Sequence, residues 1–145
     1  MTSLPDVNVL VALAWPNHVH HDPARRWFEA HHRRGWATCP LTESGFVRVS
    51  SNRRVVPEAR PPAEAMLLLR ALTAFAGHTF WHDDISIARS RWVQADRIVG
   101  HGQVTDAHLV ALTLRRRGRL VTFDRGVADV LPSGVTSADT LVILS

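Results

Sequence analysis

The 145-residue sequence has no lysine, no tyrosine and a single cysteine. With Cys39 alone, no internal disulfide can form, which suits a reducing compartment. No stretch reaches the ~18 consecutive apolar residues that a membrane span requires. Segment 9–15 is apolar but short, and nothing basic precedes it, so it does not fit a secretory signal. The expected location is the cytoplasm, with no membrane partner. No phosphate-cradling glycine loop is present either, because Gly100 and Gly102 lack the rest of any such motif. The missing lysine makes every permanent side-chain cation a guanidinium, 17 in all against 13 acids, for a net charge of +4. Guanidinium groups bind phosphate through paired hydrogen bonds and stack on bases. So small a net charge does not by itself specify nucleic acid.

An apolar content of 46% with 21% charged residues fits one globular domain over residues 1–145. A chain of that length builds a core without disulfides or a structural metal. Its pattern alternates strands and helices. Asp22-Pro23 predicts a capped helix carrying Ala24, Trp27 and Phe28 and ending at Gly35. A short strand follows over 36–39, then a helix capped by Thr42 and running through Phe46 and Val49. Three prolines mark 55–62 as a loop, after which Ala65, Leu68, Leu69 and Leu72 share a helical face. Strand 79–81 comes next, with Ser86 expected to cap a helix bearing Ala88, Trp92 and Ala95. Thr105 or Asp106 opens a long helix that closes on Arg115, Arg116 and Arg117, with Gly118 at the C′ position. Strands over 120–123 and 141–144 complete the order. Alternation of this kind predicts a three-layer α/β/α sandwich with a mostly parallel central sheet.

Four acids punctuate this pattern. Asp6, Glu43, Asp106 and Asp124 sit where a strand gives way to a turn or a helix begins, in LPDVNVLVAL, CPLTESGF, QVTDAHLVAL and LVTFDRG. In an open α/β sheet these positions converge beyond the carboxyl ends of the strands. Taken singly, each is accounted for as a cap or a surface residue. Gathered at about 5 Å, each pair of carboxylates repels by roughly 3 kcal/mol at an effective dielectric of about 20. Protonation or a divalent cation has to relieve that repulsion. An all-oxygen site favours Mg2+, with Mn2+ as a substitute, over zinc.

The segments LPDVNVLVAL, CPLTESGFVRVSSN and TDAHLVALTLRRRGRLVTFDRG resemble those of PIN-domain nucleases, most of all the VapC-type ribonuclease toxins of toxin–antitoxin pairs. The resemblance runs in order from Asp6 to about Asp124. Its most specific part is the block in which Thr105-Asp106 opens a helix and Thr122-Phe123-Asp124 closes the next strand. It implies that Asp6 and Asp106 are the principal Mg2+ ligands, with Glu43 and Asp124 completing the site. It implies Mg2+-dependent endoribonuclease activity, leaving a 5′-phosphate and a 3′-hydroxyl, together with an antitoxin partner filling a nearby groove and a homodimer. The alternative is a catalytically silent PIN-like domain that binds nucleic acid, against which the retention of all four acids argues. Asn8, Thr105 and Thr122 are candidates to orient the carboxylates or water. Arg48, Arg53, Arg54 and Arg125 follow two of the acidic elements and are candidate RNA contacts. One departure from the family pattern is a short first strand. Pro5 lacks the N–H of a ladder bond and fits only a strand start, edge or bulge.

Other residues invite different chemistry. His18, His20 and Asp22 form an H-x-H-x-D string like that of zinc hydrolases, but Pro23 stands where that motif continues with histidine. His31, His32 and His78 are expected in solvent, and His82-Asp83-Asp84 in a capped loop. His101 and His108 flank Asp106, and one of them is a candidate for facing substrate. Trp27, Trp36, Trp81 and Trp92 are expected in the core, and Trp15 on a partner surface.

Overall fold

A computed structural model describes all 145 residues. Five strands form one sheet: β1 (Ser3–Pro5), β2 (Trp36–Thr38), β3 (His78–Phe80), β4 (Arg119–Thr122) and β5 (Leu141–Ile143). Their order is β3-β2-β1-β4-β5, and every neighbouring pair is parallel. Parallel strands need crossovers, and six helices supply them: α1 (Val7–Ala14), α2 (His21–His31), α3 (Pro40–Ser50), α4 (Pro62–Thr73), α5 (Val104–Arg115) and the short α6 (Ser137–Thr140).

Strand alternation sends side chains to two cores. Leu4, Ala37, Leu120 and Leu141 pack with Ala107, Leu109, Val110 and Leu112 of α5. Trp36 and Val121 turn the other way, toward Val9, Leu10 and Ala12 of α1, Trp27 and Phe28 of α2, and Phe46 of α3. Burial on both faces is what an all-parallel sheet requires. The expected three-layer sandwich is therefore present. Between α1 and α3 the backbones cross closely. A Cβ on Gly45 would lie 2.6 Å from a Val7 methyl carbon, so only glycine fits there.

Several local expectations are corrected. Segment 86–95 forms turns followed by a 3-10 turn at Ala95–Arg97, with no α-helix. Trp92 accordingly stays half-buried, its ring 4.6 Å from the Arg91 guanidinium carbon. Helix α2 starts at His21, one residue before Asp22, which becomes a first-turn acid rather than the cap. Helix α3 is capped at Cys39 with Pro40 at its first position; the Thr42 hydroxyl accepts from the Cys39 N–H at 3.0 Å. At the end of α5 the left-handed residue is Arg117 (φ 56°), not Gly118. Gly118 has a different reason to be glycine, since a Cβ there would meet the Thr2 carbonyl at 2.5 Å and the Trp81 ring at 2.6 Å.

Two expectations about aromatic residues also fail. Trp15 is buried, with its indole N–H donating to the Ser50 hydroxyl at 3.2 Å, and is no partner surface. His32 is buried too, stacked 4.8 Å from Phe28 and hydrogen-bonded through Nδ1 to the Ala76 carbonyl at 2.8 Å. Pro5 ends a central strand, a place the sequence did not allow for. The Ser3 N–H donates to Gly35 on the β2 side, and Pro5, two residues on, has no N–H to continue that ladder. The lost bond falls at the carboxyl end, beside the crevice.

Candidate active site

Strand order reverses at β1: the chain moves from β1 outward to β2 and β3, then returns to place β4 on the other side. Crevices outside such reversals are the ligand sites of open parallel sheets. Asp6 follows β1 and Asp124 follows β4, so the two flank this crevice. Asp106, in the first turn of α5, faces it from the helix that leads into β4.

Asp6 is held by two donors. It caps α1, with Oδ1 accepting from the Val7 N–H at 2.8 Å, and its Oδ2 accepts from the Thr122 hydroxyl at 2.9 Å. The Thr122 oxygen in turn accepts from the Asn8 amide at 3.2 Å and the Asp124 N–H at 3.1 Å. Asn8 also accepts from the Phe123 N–H at 3.3 Å, through Oδ1. Thr122 thus joins the ends of β1 and β4 through one buried hydroxyl. Asp124 is exposed and folds its own turn, its Oδ1 accepting from the Gly126 N–H at 2.8 Å.

The charges in this group oppose one another. Burial raises the Asp6 carboxyl above its ordinary range, and the charge on Asp124 adds to the rise; the Thr122 and Val7 hydrogen bonds pull it back. Asp106 has no such bond. Burial, with Asp6 and Asp124 nearby, pushes it up to about 6. The three carboxylates are therefore close enough that their charges disfavour the ionisation of Asp6 and Asp106, the condition that a bound cation reverses. No three of the protein's acidic, histidine or cysteine side chains are drawn together tightly enough to form a finished metal cage. What fits a hard divalent cation is the donor chemistry: oxygen only, and unfavourably charged without it.

Glu43 stands apart from this trio. Its Oε2 accepts from the Thr38 hydroxyl at 2.6 Å, and the same hydroxyl lies 2.8 Å from His78 Nε2. A threonine hydroxyl has one proton, here given to Glu43, so His78 Nε2 donates to it. His78 is half-buried rather than solvated, and burial lowers its pKa while Glu43 opposes the drop. The resemblance pairs Glu43 with Asp124 in completing the site; the electrostatics group Asp124 with Asp6 and Asp106.

Of the candidate orienting residues, Asn8 and Thr122 belong to the network. Thr105 is exposed and makes no side-chain hydrogen bond. Arg48, Arg53, Arg54 and Arg125 are all exposed. Arg125 adjoins Asp124, and Arg48 lines a cavity of about 390 Å³ between α3 and α4 together with Glu43, Met66 and Leu69. His18, His20 and Asp22 do not converge on a metal position; His18 Nδ1 accepts from the His20 N–H at 3.0 Å instead. His101 is exposed. His108 is committed elsewhere, its Nε2 lying 2.6 Å from Asp83 Oδ2, which ties the irregular segment after β3 to α5. The sequence missed that tie, and it missed the His78–Thr38–Glu43 chain. Both depend on histidines at least 25 positions from the residue they meet, His78 with Thr38 and His108 with Asp83, and no local pattern announces them.

Known proteins match this architecture. The PIN domain family profile covers residues 3–130. Ribonuclease VapC39 of Mycobacterium tuberculosis is 52% identical over 135 residues, which span 93% of this chain and 97% of that protein. The crystal structure of VapC20 from the same species, a sarcin–ricin loop cleaving toxin, aligns at a TM-score of 0.57 and 15% identity, over 90% of this chain and 99% of that one. VapBC2 from Rickettsia felis, bound to a DNA fragment from its promoter, aligns at 0.62 and 9% identity over the whole of both chains. These two structures establish the fold, and the 52% relative the branch. The chain belongs to the PIN domain family, among the VapC ribonucleases.

Proposed function

We propose that Asp6, Asp106 and Asp124 are the groups with which this endoribonuclease holds a divalent cation, Mg2+ or in its place Mn2+, and that Glu43 completes the acidic edge. The observation that carries this reading is the elevation of Asp106 to about 6 by burial and by the charges of Asp6 and Asp124. A domain with 17 arginines leaves this carboxylate without a guanidinium partner, although ion pairing would lower its energy. When bound, the cation supplies charge to a phosphodiester oxygen and acidifies water. The chain's own residues do the rest. Thr122 and the Val7 N–H fix the Asp6 carboxylate in one orientation, and Asn8 fixes Thr122. Arg125 beside Asp124, with Arg48 in the last turn of α3 and Arg53 and Arg54 just after it, brings phosphate toward an otherwise repellent acidic edge.

As a VapC toxin the chain is paired in this reading with a cognate antitoxin. The cavity between α3 and α4 supports a docking place for it, because Met66 there is more than half exposed and Glu43 borders the same cavity. A homodimer and a cytoplasmic location belong to the same proposal. No helix is long and apolar enough to cross a membrane.

The test is cleavage of total RNA with and without Mg2+ by wild type, Asp6→Asn and Asp106→Asn. The expected result is Mg2+-dependent cleavage by wild type alone. Equal cleavage by the variants would remove the acids from the mechanism. RNA that binds but is never cut, with either Mg2+ or Mn2+, would favour a silent nucleic-acid-binding domain.

A further inference from the structure

The amino end of the sheet carries the opposite charge. A cavity of about 440 Å³ opens there, bordered by Ser3 of β1, His31 of α2, Arg34, Arg119 of β4 and the apolar walls of Trp27 and Val142. Eight residues line it and none is acidic. Neither Arg34 nor Arg119 takes part in an ion pair. The Arg119 Nε–H is buried, and no protein group accepts a bond from it. An unmatched donor of a charged group is costly to bury. The Arg119 backbone N–H is engaged separately, donating to the Thr2 carbonyl at 3.0 Å. His31 is oriented by its own contacts. Nδ1 bonds the Trp27 carbonyl at 2.8 Å and the ring stacks 5.7 Å from Trp27, leaving Nε2 without a protein partner.

We propose that this cavity binds a phosphate-bearing ligand of about mononucleotide size. Two guanidinium groups without a carboxylate exclude cations and select an oxyanion, and their planar forks match phosphate oxygens. The volume lies within the ~300–1,000 Å³ of small-molecule sites. The apolar walls leave room for an organic body, so a bare anion fills only part of it. The site is separate from the acids. It borders the first residues of β1 and β4, whereas Asp6 and Asp124 follow their last residues, about 10 Å further along strands of three and four residues. The phosphate belongs either to a free nucleotide or to the end of an RNA chain, two sources of one chemistry.

The test uses the whole chain without divalent metal. Inorganic phosphate, adenosine monophosphate and a short 5′-phosphorylated RNA are titrated while the arginine Nε–H and backbone N–H resonances are followed. Wild type is compared with Arg119→Gln and with Arg34→Gln, the latter at an exposed position that folding does not depend on. The expected result is movement of the Arg119 Nε–H, tighter binding of the nucleotide than of inorganic phosphate, and about tenfold or greater weakening in each variant. RNA cleavage by the variants should stay at the wild-type rate. Tighter binding of the RNA than of the nucleotide assigns the phosphate to a chain end; equal binding assigns a free nucleotide. Equal affinity of wild type and Arg34→Gln for the nucleotide would overturn the proposal, as would perturbations confined to Asp6 and Asp106. No preference for nucleotide over inorganic phosphate would overturn it equally.

Discussion

The acidic edge has two halves that differ in how their carboxylates are satisfied. On the β1–β4 side, the charge of Asp124 raises the proton affinity of Asp6, the charges of both raise that of Asp106, and of these two only Asp6 has side-chain and backbone donors to oppose burial. On the β2–β3 side, Glu43 takes a short bond from Thr38, which is backed by His78. In the proposed reading a cation completes the first half; in the second, Glu43 is already met by hydrogen-bond donors of the protein. A shared position at strand ends therefore does not make four acids equivalent. What separates them is whether the protein itself supplies the compensating group.

The largest effect is expected at Asp106. Asp106→Asn should reduce RNA cleavage on the order of 100-fold or more, while stabilising the metal-free protein. Because the folded-state carboxyl titrates near 6, above its unfolded value, its stabilising contribution is complete below about pH 4 and is lost as pH rises through 6. Asp106 is only half-buried, so solvent screening keeps the cost above that well under the ~3 kcal/mol that such a shift would carry in a dry site, and the substitution removes it. Thermal unfolding of metal-free protein between pH 4 and 8 checks this: wild type should lose stability relative to Asp106→Asn across that window.

Thr122→Val comes next. It keeps the shape but deletes the hydroxyl that bonds Asp6, Asn8 and the Asp124 N–H. Stability should fall by about 1–3 kcal/mol, and cleavage by roughly 10–100-fold, read by denaturant unfolding and by initial rates. The smallest effect is expected at Glu43→Gln. The amide keeps an acceptor for Thr38, so stability at pH 7.5 should stay close to that of wild type, with cleavage reduced about tenfold or less. Stabilisation of the metal-free protein as large as that of Asp106→Asn would erase the distinction between the halves.

The parts of this design legible in the sequence are those with local signatures. Asp6 lies between an apolar strand and an apolar helix, and Asp106 opens a segment that closes on three arginines and a glycine. Their convergence follows from strand–helix alternation, because a parallel sheet brings all carboxyl ends to one edge. Thr122 and Asn8 could be marked as supporting residues from their place beside the acids. Illegible were the partners set by packing: His78 beside Thr38, His108 beside Asp83, and Trp15 against Ser50. Each depends on which face a helix or loop presents to a distant element. The expected helix around Trp92 failed for a related reason. Its capping serine and apolar spacing were present, but Asp83, Ser90 and Gln103 accept from backbone N–H groups within or beside that segment and satisfy it in turns.

The central claim, that the β1–β4 trio is completed by a divalent cation, is tested most directly by the melting temperature at pH 7.5 with and without Mg2+. At about a hundredfold excess over the dissociation constant, wild type and Glu43→Gln should each rise by roughly 5 °C or more, with almost no change in Asp106→Asn. Equal stabilisation of Asp106→Asn, or none of wild type with either Mg2+ or Mn2+, would contradict the account.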